Sequence, residues 1–94
     1  MFTKTFTVNA VGDPEAVTTG SNTSRVTIAE DPSVSGWPTS DYNVMAPSSD
    51  STAIRKAAGT MFTFKPSFGQ WPPDTIIGYV ETVSGSTTFQ QVEE

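Results

Sequence analysis

Not one of the 94 residues is leucine, and that absence narrows the folds open to the chain more than any other feature. Leucine and the long straight side chains favour helices, whereas β-branched and aromatic residues favour strands. Here Val, Ile and Phe supply 19 residues, and Thr and Ser supply 26. The summed preference is for β structure, and the order of the residues agrees with it. The run Phe2-Thr3-Lys4-Thr5-Phe6-Thr7-Val8 puts Phe2, Phe6 and Val8 on one face and the threonines on the other. That period of two is the signature of a half-buried strand.

Further strands follow between turn signals. Gly12-Asp13-Pro14 reads as a turn, and residues 15–19 form a weaker strand around Ala16 and Val17. Gly20-Ser21-Asn22 interrupts it. The strand over 24–30 places Val26 and Ile28 inward, with Arg25 and Thr27 outward. Residues 31–51 carry Pro32, Gly36, Pro38 and Pro47 and read as loop, apart from a short strand at Tyr42–Met45. A loop of that length in a small domain either carries a binding role or simply connects two sheets. Residues 51–58 admit two readings. Asp50 or Ser51 caps a short helix ending at Gly59, or the segment is a strand with Ile54 inward. The strand is favoured, because two helical turns would present only a weak apolar stripe. Residues 60–65 and 75–83 are the most strongly patterned strands, and they nominate Phe62, Phe64, Ile77 and Tyr79 for the core. Ser84-Gly85-Ser86 then turns the chain into a last strand over 87–92. The expectation is one domain over 1–94: all-β, a small antiparallel β-sandwich of jelly-roll-like form, or a β-barrel, with about seven or eight strands.

The chemistry on offer is sparse. With no cysteine and no histidine, the chain lacks disulfides, thiolate ligands and the usual acid/base group near neutral pH. Asp31, Asp41, Asp50 and Asp74 fall in loops and are the only candidate catalytic material. Their spacing builds no dense ligand run, and Asp before Pro or Ser favours turns. No enzymatic activity, no metal and no other cofactor is expected. A net charge of −5 and a pI near 4.4 argue against nucleic acid, since only Arg55 and Lys56 are adjacent basic residues. No apolar run reaches membrane-spanning length, and the first residues open no signal peptide. Asn22-Thr23-Ser24 matches a glycosylation acceptor but reads as chance without such a signal.

Two tryptophans stand out, in Gly36-Trp37-Pro38 and Gln70-Trp71-Pro72-Pro73. Proline stiffens the chain beside each ring, so each is presented at low entropic cost. A rigid aromatic on a loop suits a partner surface or a sugar face. The plainer reading is that each ring caps one end of a thin core.

The stretch from Val26-Thr27-Ile28 through Gly36-Trp37-Pro38 and Asp41-Tyr42-Asn43-Val44 continues with Ala58-Gly59-Thr60-Met61-Phe62-Thr63-Phe64. Ile77-Gly78-Tyr79-Val80-Glu81-Thr82 and Ser84-Gly85-Ser86-Thr87-Thr88-Phe89 complete it. This cadence over residues 24–92 resembles small β-sandwich virion structural proteins of tailed bacteriophages, of the head decoration, cement, fibre or adaptor type. The longer pattern of lambda-type decoration proteins is not carried over. The resemblance implies a subunit assembled in the bacterial host cytoplasm that binds the major capsid protein or other virion proteins and stabilises the head. The alternative it implies is a fibre module that binds a carbohydrate or receptor through its loop tryptophans. A thin core without staples suits a homo-oligomer whose burial is completed by neighbours. Residues 1–10 then read as an intersubunit strand. The partner-binding candidates are Phe2, Phe6, Val8, Trp37, Tyr42 and Trp71.

Overall fold

A computed structural model of the chain describes residues 2–33, 36–38, 40–47 and 52–94. These residues form eight strands and no helix: β1 (Phe2–Val8), β2 (Glu15–Thr18), β3 (Val26–Glu30), β4 (Tyr42–Met45), β5 (Ile54–Lys56), β6 (Met61–Phe64), β7 (Ile76–Thr82) and β8 (Thr87–Glu93). They make two four-stranded sheets, ordered β1-β8-β3-β6 and β2-β7-β4-β5, with every pairing antiparallel. The first strand pairs with the last, β2 with β7, β3 with β6, and β4 with β5. One long hairpin has in effect been rolled into a sandwich, which is the jelly-roll arrangement.

Alternation explains which face each strand buries. Val26 and Ile28 of β3 are fully buried while Thr27 between them is not. Its hydroxyl instead meets that of Thr63 on β6, at 3.1 Å. Val8, Val17, Val26, Ile28, Tyr42, Val44, Phe64, Ile77, Val80 and Phe89 form the core, with Phe6, Phe62 and Trp71 packed against it. Phe6 stacks on Phe89 with ring centroids 5.3 Å apart, and Tyr42 meets Phe89 edge-on at 5.1 Å.

The β7 strand departs from strict alternation. Val17 faces Gly78 and Thr18 faces Ile76, so β7 carries one extra residue, Ile77, against β2. Such a bulge rotates the strand, and Ile77 and Gly78 are buried in succession. Beyond the bulge Val80 and Thr82 turn inward, while Tyr79 stays half-buried outside the core cluster. The expected core thus holds for Phe64 and Ile77, in part for Phe62, and is corrected from Tyr79 to Val80.

The connections sort to two ends. Residues 9–14, 31–33, 36–38, 40–41, 57–60 and 83–86 lie at one end, where Ser84 N–H donates to Ser40 Oγ at 3.1 Å. Residues 19–25, 46–47, 52–53 and 65–75 lie at the other, with Phe2 and Glu94. There Thr23 and Trp71 form an isolated bridge, and Ser24 N–H donates to the Glu94 carbonyl at 3.0 Å. Asp50 and Ser51, the proposed helix caps, lie outside the described residues.

Candidate functional site

The two sheets diverge on one side. Strand β6 ends the first sheet and β5 ends the second, and no described strand pairs with the outer edge of either. Between them opens a groove of about 210 Å³ lined by Val44, Met45, Ala46, Thr52, Ile54, Phe62, Phe64 and Ile77. Seven of these eight are apolar. The cause is local: β5 is only three residues long, too short to cover the inward face that Phe62 and Phe64 present. Ile54 faces the groove as the alternation requires, yet remains 53% exposed at the end of its sheet.

One basic side chain stands at the groove. Lys56 Nζ lies 5.4 Å from the centroid of the Phe62 ring, a cation–π contact in which the ring face attracts the ammonium. Lys65 follows β6 and is exposed. Arg55 turns to the other face of β5 and is tied to Asp41 at 2.9 Å. Asp41 also accepts from Ala58 N–H at 2.9 Å. That backbone bond, with the Arg55 side chain behind it, holds the Asp41 carboxyl below the usual carboxylate range. Three of the five basic residues of an acidic chain are therefore gathered on or beside β5 and β6.

The structure separates the six residues nominated from sequence. Val8 and Tyr42 are fully buried, so neither can meet a partner. Tyr42 donates its hydroxyl to the Thr60 carbonyl at 2.7 Å, and burial pushes its phenol pKa up. Phe6 is stacked on Phe89, and the Phe2 ring lies over Gly20, where an added Cβ would fall 2.5 Å from it. The apolar face of β1 is thus turned into its own domain, against β8, because Phe2, Phe6 and Val8 share parity with Glu93, Phe89 and Thr87 in the register. Trp71 is half-buried against the core, its backbone paired with Thr23. Trp37 alone of the six is largely open, at 44% exposure, with its ring and Pro38 beside Gly59. The two tryptophans lie at opposite ends of the sandwich and form no joint platform. Among the loop acids, Asp31 closes a turn by accepting from Ser33 N–H at 2.9 Å. Asp74 holds a left-handed turn conformation, and Asp50 lies outside the described residues.

A buried polar cluster escaped the reading of the sequence. Glu93 is 1% exposed, and its carboxylate accepts from Gly20 N–H, Ser21 N–H and the Ser21 hydroxyl at 2.9–3.1 Å. Gln91, fully buried, donates from Nε2 to Glu93 at 2.8 Å and to the Thr18 carbonyl at 2.9 Å. The cluster fastens the β2–β3 loop to the final strand. The signal was present in the alternation, since Gln91 and Glu93 share parity with Phe89, but residue type argued for the outer face.

Among the described residues no group of three or more His, Cys, Asp or Glu is placed to hold a metal ion, and no helix is long and apolar enough to cross a membrane. No family model, no curated protein and no solved structure matches the chain.

Proposed function

We propose that this chain acts by binding and not by catalysis, as a structural subunit that docks on a larger protein particle. In the specific form implied by its strand-and-turn cadence, it is a head decoration or cement protein of a tailed bacteriophage that binds the major capsid protein. The observation that carries the reading is the groove between β5 and β6. It is an apolar opening into the core, flanked by two sheet edges that no described strand pairs with, and a neighbouring chain would complete it. Jelly rolls recur in viral capsid proteins, which supports the reading by analogy of fold alone. The test is quantification of the chain in purified, salt-washed particles of its source. Stoichiometric retention is expected, and its absence from such particles refutes the reading.

Trp37 favours a second reading as a glycan- or receptor-binding fibre module. An exposed indole on a proline-stiffened loop is a stacking surface for a sugar ring. Titration of glycans against tryptophan fluorescence, with Trp37→Ala as control, separates the two: a saturable change lost in the variant supports the fibre module.

A further inference from the structure

We infer that the β5/β6 groove receives an extended segment of a partner chain, one that carries alternate apolar side chains and flanking carboxylates, and that it adds to the free edge of β6. Three observations converge on that occupant.

The first is the edge itself. Among the described residues, strand β6 is paired on one side only, through Val26↔Phe64 to Ala29↔Met61. No described strand takes up its outer row of backbone groups, and pairing with a further strand there gives affinity whatever the side chains of the guest. The second is the adjoining groove. Phe62 and Phe64 face inward from β6 and line it together with Ile54 of β5. Every second residue of an added strand would point into this space, because side chains alternate across a sheet. A volume of about 210 Å³ exceeds the ~150 Å³ cavity that accommodates a benzene ring, so one bulky apolar side chain fits.

The third is charge. Lys56 stands on the Phe62 ring at the groove, and Lys65 closes the end of β6. The molecule otherwise carries a net negative charge. Lysines on an edge discourage indiscriminate pairing. The same lysines would admit a guest with carboxylates and repel a basic one. A neutral apolar ligand would use the groove but leave both the edge and the lysines without a role.

The inference rests on the assembly reading only for the source of the segment; the groove can be tested by itself. The probe is a short, blocked synthetic peptide alternating valine and threonine with glutamate at both ends. Its counterpart has lysine at both ends. Each is titrated to millimolar concentration into the isotope-labelled full chain, with backbone amide shifts as the readout. The glutamate peptide is expected to shift the amides of Met61–Phe64 and the residues lining the groove. Binding should weaken at least about fivefold for the lysine peptide, and similarly for Lys56→Glu with the glutamate peptide, as rim charges act on encounter and selectivity. The Lys56→Glu protein must melt as the parent does; Lys56→Gln is the fallback and should give a smaller loss. No response at β6 overturns the inference, as does an equal response to both peptides. A β6 response in a chain that particles do not retain supports the groove and refutes the assembly reading. Retention on particles with a silent groove does the reverse.

Discussion

A buried carboxylate in a small sandwich is tolerated only when its oxygens are met by donors. Glu93 has four such partners, from Gly20, Ser21 (two) and Gln91. Replacing it with alanine leaves those donors without their acceptor and unties the β2–β3 loop. Glu93→Ala should cost about 2–4 kcal/mol in urea unfolding, on the scale of buried donors left unmet. Tyr42→Phe removes one hydroxyl and leaves the Thr60 carbonyl without that donor, a loss of about 1–2 kcal/mol. Asp41 governs a different observable. Its carboxyl is held below the ordinary value of 3.8 in the folded chain, chiefly by the Ala58 N–H. A carboxyl with a depressed folded pKa adds stability above its unfolded pKa, and that stability is lost as pH falls through the folded one. Urea midpoints of the parent should therefore drop more steeply below pH 3.8 than those of Asp41→Asn. Parallel acid limbs would show that Asp41 contributes nothing there.

At the scale of elements, β7 carries the tightest packing. A Cβ on Gly78 would lie 2.6 Å from the Phe64 ring and 2.8 Å from the Met45 carbonyl oxygen. The carbonyl belongs to the neighbouring strand and cannot step aside, so Gly78→Ala should destabilise by about 1–3 kcal/mol, the usual range for overpacking. Gly20→Ala is the contrast. Its Cβ meets only the Phe2 ring, a half-buried side chain that can swing away, so its cost should be clearly smaller. Phe64→Ala empties the same contact from the other side and should cost about 3–5 kcal/mol. Thermal melts of the three variants rank them directly. Strand identity was legible in the sequence because a strand is a local pattern: seven of the eight segments show in the alternation and the turn residues, and β5 was favoured only because the competing helix would present a weak apolar stripe. Strand partnership was not, since Phe2↔Glu93 and Val26↔Phe64 depend on distant residues with no local mark. The groove was illegible for the same reason. It arises between two edges, from residues as far apart in sequence as Val44 and Ile77. Tyr42 and Trp37 illustrate the limit at single positions. Both are aromatics near prolines or loops, and only the pairing decides that one is core and the other open.

For the whole molecule, the ordering of partners is what matters: each successive strand pairs further inside the previous pair, down to β4 with β5. Strand β1 is therefore part of the sandwich. Removing residues 1–7 would strip Phe6 from Phe89 and leave one edge of β8 unpaired. Such a truncated chain should lose its cooperative melting transition. A truncated chain that melts as the parent does would return β1 to the intersubunit role that its alternation suggested. The nesting also has a consequence for biosynthesis. Synthesis delivers β1 well before β8, the strand it pairs with, so β1 waits, with Phe2, Phe6 and Val8 uncovered, while β2 to β7 are translated. The loop that must close between Phe2 and Glu93 spans almost the full length, the kind of distant contact that makes folding slow. Closure of the β1-β8-β3-β6 sheet therefore waits for β8, and until then the apolar face of β1 is without the strand it pairs with.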